Sequence, residues 1–303
     1  MFGKAVVHDM ITRSAENETD RRLFLKSAGV AGLGVVGAGA LGGAAPAAAS
    51  GISDGAVLNF ALNLEYLEAE FYSYAFHGHG LPDKLTGGKG NKGGVKGGKQ
   101  VKFASRSIYN YAKEIAWDEL HHVQFLRKAL GGAKVARPAI DLQDSFTAAA
   151  TAAGLIPAGQ TFDPFANEDN FLLAAFLFED VGVTAYKGAS PLISNKTYLE
   201  AAAGILAVEA YHAGLIRSQL WERGMQDAAR AISNARDSLD GKGNRDQPIG
   251  SPRSTNIQPT DGNGIAFSRS AGEVLNVVYL NPKSVNKGGF FPKGVNGAIR
   301  KSS

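Results

Sequence analysis

The stretch Ala116–Leu126, AWDELHHVQFL, holds an aspartate, a glutamate and two histidines within five residues. Two of its pairs, Asp118/His121 and Glu119/His122, share a three-residue spacing, which on a helix sets both side chains on one face. A carboxylate and an imidazole so placed can hold a metal ion together, so the question is which pair turns inward. Positions sharing a face with Glu119 and His122 are Ile108, Ala112, Ile115, Ala116, Val123, Leu126 and Leu130, all apolar. Asp118 and His121 instead neighbour Ser107, Asn110, Lys113, Glu114 and Lys128, with Phe125 as the apolar exception. The hydrophobic face selects Glu119 and His122. Asp118 and His121 are left as outer or surface neighbours, and His121 is not expected to be a ligand.

One buried Glu–His pair could satisfy itself with a hydrogen bond. Three further stretches argue for more. LAVEAYHAGLI (Leu206–Ile216) repeats the arrangement with Glu209 and His212, flanked by Ala202, Ile205, Ala213, Ile216 and Leu220. LAAFLFEDVGV (Leu173–Val183) sets Glu179 among Leu172, Phe176, Val183 and Tyr186, and LNLEYLEAEFY (Leu62–Tyr72) sets Glu65 on an apolar face. An unpaired carboxylate is costly to bury, and four without a counter-charge are not sustainable in a core. Two divalent cations cancel four carboxylates, and two imidazoles give each cation one nitrogen. The expected metal ligands are therefore Glu65, Glu119, His122, Glu179, Glu209 and His212, the donor set of di-iron and di-manganese carboxylate bundles. In the first stretch Glu68 also has apolar companions, Ala61, Leu64 and Phe71, so its approach to the site stays open beside Glu65 as the expected ligand. His77 and His79 follow at a glycine-flanked helix end and read as surface residues.

Oxygen-rich ligation with one histidine per metal suits two iron ions, with manganese as the alternative. The histidines disfavour calcium, and structural zinc seldom takes so many carboxylates; a hydrolytic zinc pair is the lesser reading.

Four long helices must carry these residues. Helical patterns run over about 54–76, 103–130, 167–188 and 196–223, the last continuing after Gly224 to about Ser238. A short helix is expected around 142–153. Between the first two lies a low-complexity segment, 78–102, with seven glycines from Gly87 to Gly98 and lysines at 89, 92 and 96. It has little to bury and reads as mobile surface. Residues 239–303 are rich in Gly, Pro, Asn and Ser and contain one β-like run, EVLNVVYL (Glu273–Leu280). The paired phenylalanines of GGFFPKG (Gly288–Gly294) predict that this tail packs back onto the helices. The fold class is all-α: a four-helix bundle with long inter-helix loops over 51–238 and an irregular tail over 239–303.

The chain has 303 residues, enough for a substantial core, and no cysteine, which excludes disulfides and thiolate metal sites. A net charge of +4, partly owed to the glycine–lysine segment, makes no case for nucleic acid. RRLFLK (Arg21–Lys26) precedes a Gly/Ala-rich run ending in small residues near Ala49. This resembles a twin-arginine export signal over residues 1–50, although Asp20 precedes the arginine pair. The run falls short of the roughly 20 strongly apolar residues of a membrane span, so no stable span is expected after cleavage. The expectation is a folded, cofactor-bearing protein handed to the Tat export machinery and placed in the periplasm or outside the cell.

The chain resembles the ferritin-like superfamily, particularly exported ferritin-like proteins related to plant desiccation-related proteins. The resemblance rests on LNLEYLEAEFYSYAFHG, DELHHVQFLRKALG, FEDVGVTAYKGA and VEAYHAGLIR at the four helices, and on RDSLDG and GGFFPKGVNG in the tail. It implies a ferritin-like four-helix bundle in which Glu65 and Glu179 come from helices one and three. Tyr72, seven residues after Glu65, matches a near-site tyrosine of that superfamily and is the candidate catalytic electron donor. Tyr211 lies between motif residues and points away. The expected function is ferroxidase or peroxide/O2-reducing chemistry with O2 or H2O2 as substrate, in stress protection. The alternatives are manganese catalase-like peroxide disproportionation and a non-catalytic desiccation-related protein whose metals stabilise the bundle. A homo-oligomer is compatible, but long insertions argue against a regular storage cage.

Overall fold

A computed structural model describes residues 52–241 and 243–303; the twin-arginine stretch lies outside them. Four long helices dominate: α1 (Asp54–His77), α2 (Arg106–Leu130), α4 (Glu168–Ala189) and α5 (Lys196–Glu222). The short α3 (Asp144–Ala152) lies between α2 and α4, and α6 (Gln226–Leu239) and α7 (Ala271–Val278) follow the bundle. Local chemistry sets the ends. The Ser53 side chain accepts from the Ala56 amide to start α1, and Gly78, at φ 78°, closes it by donating to the Tyr74 carbonyl. Asn167 and Asn195 cap α4 and α5 in the same way, and Pro191 stands just beyond α4.

Hydrogen bonds fix the helix directions. The start of α1 meets the end of α2 through Asn59 and the Ala133 carbonyl, while Val101, just before α2, bonds Ala75 near the end of α1. The end of α5 meets the start of α4 where Arg223 contacts Glu168 and Asp169. Tyr72 on α1 reaches Glu179 and Tyr186 on α4 reaches Glu65, so α1 and α4 are also antiparallel. With α2 antiparallel to α1, it follows that α2 and α4 run the same way. Their connection must travel back along the bundle, which accounts for the long segment 131–167 and places α3 within it.

That crossover gives the glycine–lysine segment a partner. The strand β1 (Val95–Lys96) pairs in parallel with β2 (Ile140–Asp141), and Lys89 bridges to Val135. At Gly88 a Cβ would sit 2.5 Å from the Val135 carbonyl carbon, and at Gly93 2.2 Å from the Ala139 nitrogen. Those glycines permit backbone to lie on backbone. The expectation of a mobile loop is therefore corrected: the segment is pinned to the crossover by main-chain hydrogen bonds.

A second correction concerns EVLNVVYL. Its β-branched residues suggested a strand, but Ser270 and Glu273 form a reciprocal capping box and start a helix, α7. Val274, Leu275, Val277 and Val278 are buried there against α4 and α6. The tail does pack on the bundle, with a hairpin, β3 (Gly250–Ser251) and β4 (Ser254–Thr255), on the way. Phe290 is fully buried against Phe146 and Phe178, and its amide donates to Val278.

Candidate metal centre

The six expected donors come together in the middle of the bundle. Glu65 on α1, Glu119 and His122 on α2, Glu179 on α4, and Glu209 and His212 on α5 are all buried. They form two overlapping groups, Glu65–Glu119–His122–Glu209 and Glu119–Glu179–His212, with donor atoms within 4.8 Å of one another in each. Both imidazoles present Nδ1 to the carboxylates. His122 Nδ1 lies 3.3 Å from Glu65 Oε2, 3.6 Å from Glu209 Oε1 and 3.7 Å from Glu119 Oε2. His212 Nδ1 lies 3.2 Å from Glu119 Oε1 and 3.6 Å from Glu179 Oε2. Glu119 is thus shared between the groups.

The decisive test is whether these atoms satisfy one another. They do not. Glu65 Oε2, Glu179 Oε2, both oxygens of Glu119 and of Glu209, and both Nδ1 atoms are buried without a hydrogen-bond partner among the described residues. Orphaned donor atoms of this kind, converging from four helices, are the signature of a cation site.

Electrostatics agree. Burial, with like charge from Glu119, pushes the Glu65 carboxyl up to about 7 despite His122. Burial and neighbouring carboxylates raise Glu209 well above the carboxylate range. Burial opposes charge on His122, but Glu65 and Glu119 override it and push the imidazole up to about 11. Burial also works against ionisation of Glu119, yet the two histidines hold it well below its ordinary value. Four carboxylates and two imidazoles buried in one cluster must share protons unless cations replace them.

Two tyrosines close the site. Tyr72 Oη donates to Glu179 Oε1, and Tyr186 Oη donates to Glu65 Oε1. Burial first, then the adjacent carboxylates, holds both phenols well above their ordinary pKa, so each keeps its proton. Tyr186 was not expected in the site. Its signal was available in the spacing: it follows Glu179 by seven residues, as Tyr72 follows Glu65. Tyr211 is 75% exposed and points away, as its position between Glu209 and His212 requires.

Asp118 has more than a surface place. Its Oδ2 lies 3.1 Å from His212 Nε2, the ring nitrogen that faces away from the other carboxylates. This contact fixes the tautomer and leaves the Nδ1 lone pair for a cation. His121 turns outward, with Nδ1 2.6 Å from the Trp117 carbonyl oxygen and its ring on the Trp117 indole. Glu68 is buried beside the cluster but outside both donor groups.

Comparison with known proteins returns the same architecture. A family model described as a ferritin-like domain matches residues 53–222, which span all four long helices. The desiccation-related protein PCC13-62 of Craterostigma plantagineum is 32% identical over 264 residues, covering 81% of this chain and 83% of that one. The ferritin-like catalase Nec2 of Nesocodon mauritianus is 29% identical over 275 residues, covering 82% and 85%. The buried Glu–His cluster and the matched bundle lead to one statement: this chain belongs to the ferritin-like family.

Proposed function

We propose that the protein is a dinuclear metal oxidoreductase that consumes peroxide or dioxygen. The observation that carries this reading is the set of eight buried, partnerless donor atoms on Glu65, Glu119, His122, Glu179, Glu209 and His212. That set is oxygen-rich with one imidazole per position, which suits iron first and manganese second. Bound there, a redox-active pair supplies two electrons to a small oxidant.

The chain's own residues prepare the centre for that task. Glu119 links the two positions, and Asp118 holds His212 in the tautomer that ligates. Tyr72 and Tyr186 each keep a proton within hydrogen-bond reach of a ligand carboxylate, so a proton can be delivered without bulk water. Tyr72, bonded to Glu179, is the proposed electron donor to the centre. Leu62, Ile115 and Ile216, each one turn along its helix from Glu65, Glu119 or His212, are buried in the apolar core.

The peroxide reading has its own support. One relative is described as a ferritin-like catalase, and peroxide disproportionation is the form of the activity favoured here. The twin-arginine stretch, Arg21–Arg22, supports export as a folded, metal-loaded chain. The test is metal analysis of the protein from its native host, then turnover of the loaded protein with H2O2, followed by oxygen evolution. The expected result is two metals per chain and peroxide-dependent oxygen release, both absent in a Glu119→Ala/His122→Ala variant. A loaded protein without turnover on O2 or H2O2, yet strongly destabilised by chelation, would instead identify a purely structural metal site.

A further inference from the structure

Beside the centre lies a cavity that none of the six donors lines. It measures about 20 Å³, where holding one water takes about 10–15 Å³, so it has room for one small molecule. Leu64 and Leu67 of α1, Leu177 and Val181 of α4, and Val277 and Val278 of α7 give it apolar walls.

Its inner end is different. Glu68 and Gly182 border the cavity there, and both lie close to the donor set. A Cβ on Gly182 would stand 2.4 Å from Glu209 Oε2 and 3.3 Å from Glu68 Oε1. Bare backbone and one carboxylate therefore part the cavity from Glu209. Glu68 is 5% exposed where Glu65, Glu119 and Glu209 have no exposure, in keeping with its place on the cavity wall. Glycine weakens a helix interior, and Gly182 is not among the glycines with positive φ. Its use here is room, because a side chain at this position would collide with Glu209.

The lining selects its occupant. Apolar walls penalise an ion that must shed its water, and the carboxylates of Glu68 and Glu209 repel an anion. A metal cation would meet one carboxylate and otherwise only apolar side chains, short of the ligands it needs. Those walls, that size and one polar group suit a neutral oxidant of two heavy atoms.

We infer that this cavity is the holding site for the oxidant, hydrogen peroxide or dioxygen, on its way to the centre, with α7 as its outer wall. This rests on the function proposed above. The tail helix thus bears on the chemistry of a centre to which it supplies no donor.

The test fills the cavity from α7. Crystals of the metal-free full-length protein under xenon pressure should show a xenon atom beside Val278, and none there in Val278→Phe. That readout needs no turnover. In the manganese-loaded protein, Val278→Phe should lower kcat/KM for H2O2 at least tenfold while metal content and kcat stay as in wild type. In the iron(II)-loaded protein, the same variant should slow reaction with dioxygen at least tenfold. Slowing with one oxidant alone assigns the cavity to that oxidant. Val278→Leu fills less of the space and serves as the reading should the phenylalanine variant not fold. A wild-type cavity without xenon, or a folded, metal-loaded filling variant that reacts with both oxidants as wild type does, overturns the inference. Wild type that takes up xenon there but turns over neither oxidant removes the proposed function on which the inference rests.

Discussion

A hydrogen bond to a ligand's free atom decides which of its other atoms can meet a cation, and the centre uses that device three times. Tyr72 and Tyr186 each occupy one oxygen of a glutamate, leaving the second oxygen, Glu179 Oε2 or Glu65 Oε2, turned inward. Asp118 does the same for His212 at 3.1 Å. Replacing Asp118 by Asn allows the amide to present a donor to Nε2 and favours the wrong tautomer. Outer partners of this kind are worth about 10- to 100-fold in metal affinity. Asp118→Asn is thus expected to weaken the metal nearest His212 by that factor while sparing the one nearest His122, as read by stepwise metal titration. Tyr72→Phe is expected to keep both metals and to slow turnover by about 10²-fold, the range for losing a positioned proton donor; unchanged turnover would exclude it. Residue by residue, the donors were legible because each Glu and His interrupts an otherwise apolar helical face. Asp118 was harder to place: it sits on a polar face, and only the approach of α5 gives it a partner. Tyr186 hides among apolar neighbours until the seven-residue spacing is compared between helices.

The four long helices were readable within a few residues because their apolar periodicity and caps agree, as at Ser53, Asn167 and Asn195. The connecting elements were not, for two different reasons. The glycines of 78–102 suggest freedom when read alone, but here they allow backbone contact with a crossover whose course depends on helix direction. In α7, β-branched composition lost to a capping box and burial against α4 and α6. Glu168 shows how the helix ends are tied together. In the first turn of α4, it accepts from the amides of Ala104 (3.0 Å) and Ser105 (2.8 Å), from Ser105 Oγ (2.7 Å) and from Arg223 at the end of α5. Burial opposes its charge, but Ser105 and Arg223 hold the carboxyl down to about 2. A depressed carboxyl stabilises the fold fully above its unfolded pKa, near 4.5, and that stability is lost as pH falls towards about 2. The contribution at neutral pH is at most about 3 kcal/mol. Glu168→Gln should therefore lower stability to denaturant at pH 7, with the difference from wild type shrinking between about pH 4.5 and 2. A constant difference across that window would assign Glu168 a packing role only.

Behind the metal centre a second buried network attaches the tail to the bundle. Asp180, next to Glu179, meets Arg217 at 2.7 Å and Arg236 at 2.8 Å. Arg217 also donates to the carbonyls of Gln247, Pro248 and Asn256, and Arg269 joins Asp240 at 2.7 Å. Removing one member of a buried ion pair typically costs about 3–5 kcal/mol. Arg217→Ala is expected to fall in that range and to free residues 247–256 for proteolysis before the helices are cut. The centre itself adds a pH dependence of opposite sense to that of Glu168. In the metal-free protein, burial raises Glu65 to about 7, and its neighbours lift His122 to about 11, so the folded state holds these protons more tightly than the unfolded chain. Stability from such groups is complete below their unfolded values and is lost as pH rises through the folded ones. Cations replace the protons, so loading should release protons and become tighter as pH rises. Each metal held at a free concentration a thousandfold above its dissociation constant adds about 4 kcal/mol. Thermal unfolding across pH 5 to 8 should thus show the chelated protein weakening steadily with pH while the loaded protein does not. Parallel curves for the two would mean that these carboxylates and histidines are not the groups a metal displaces.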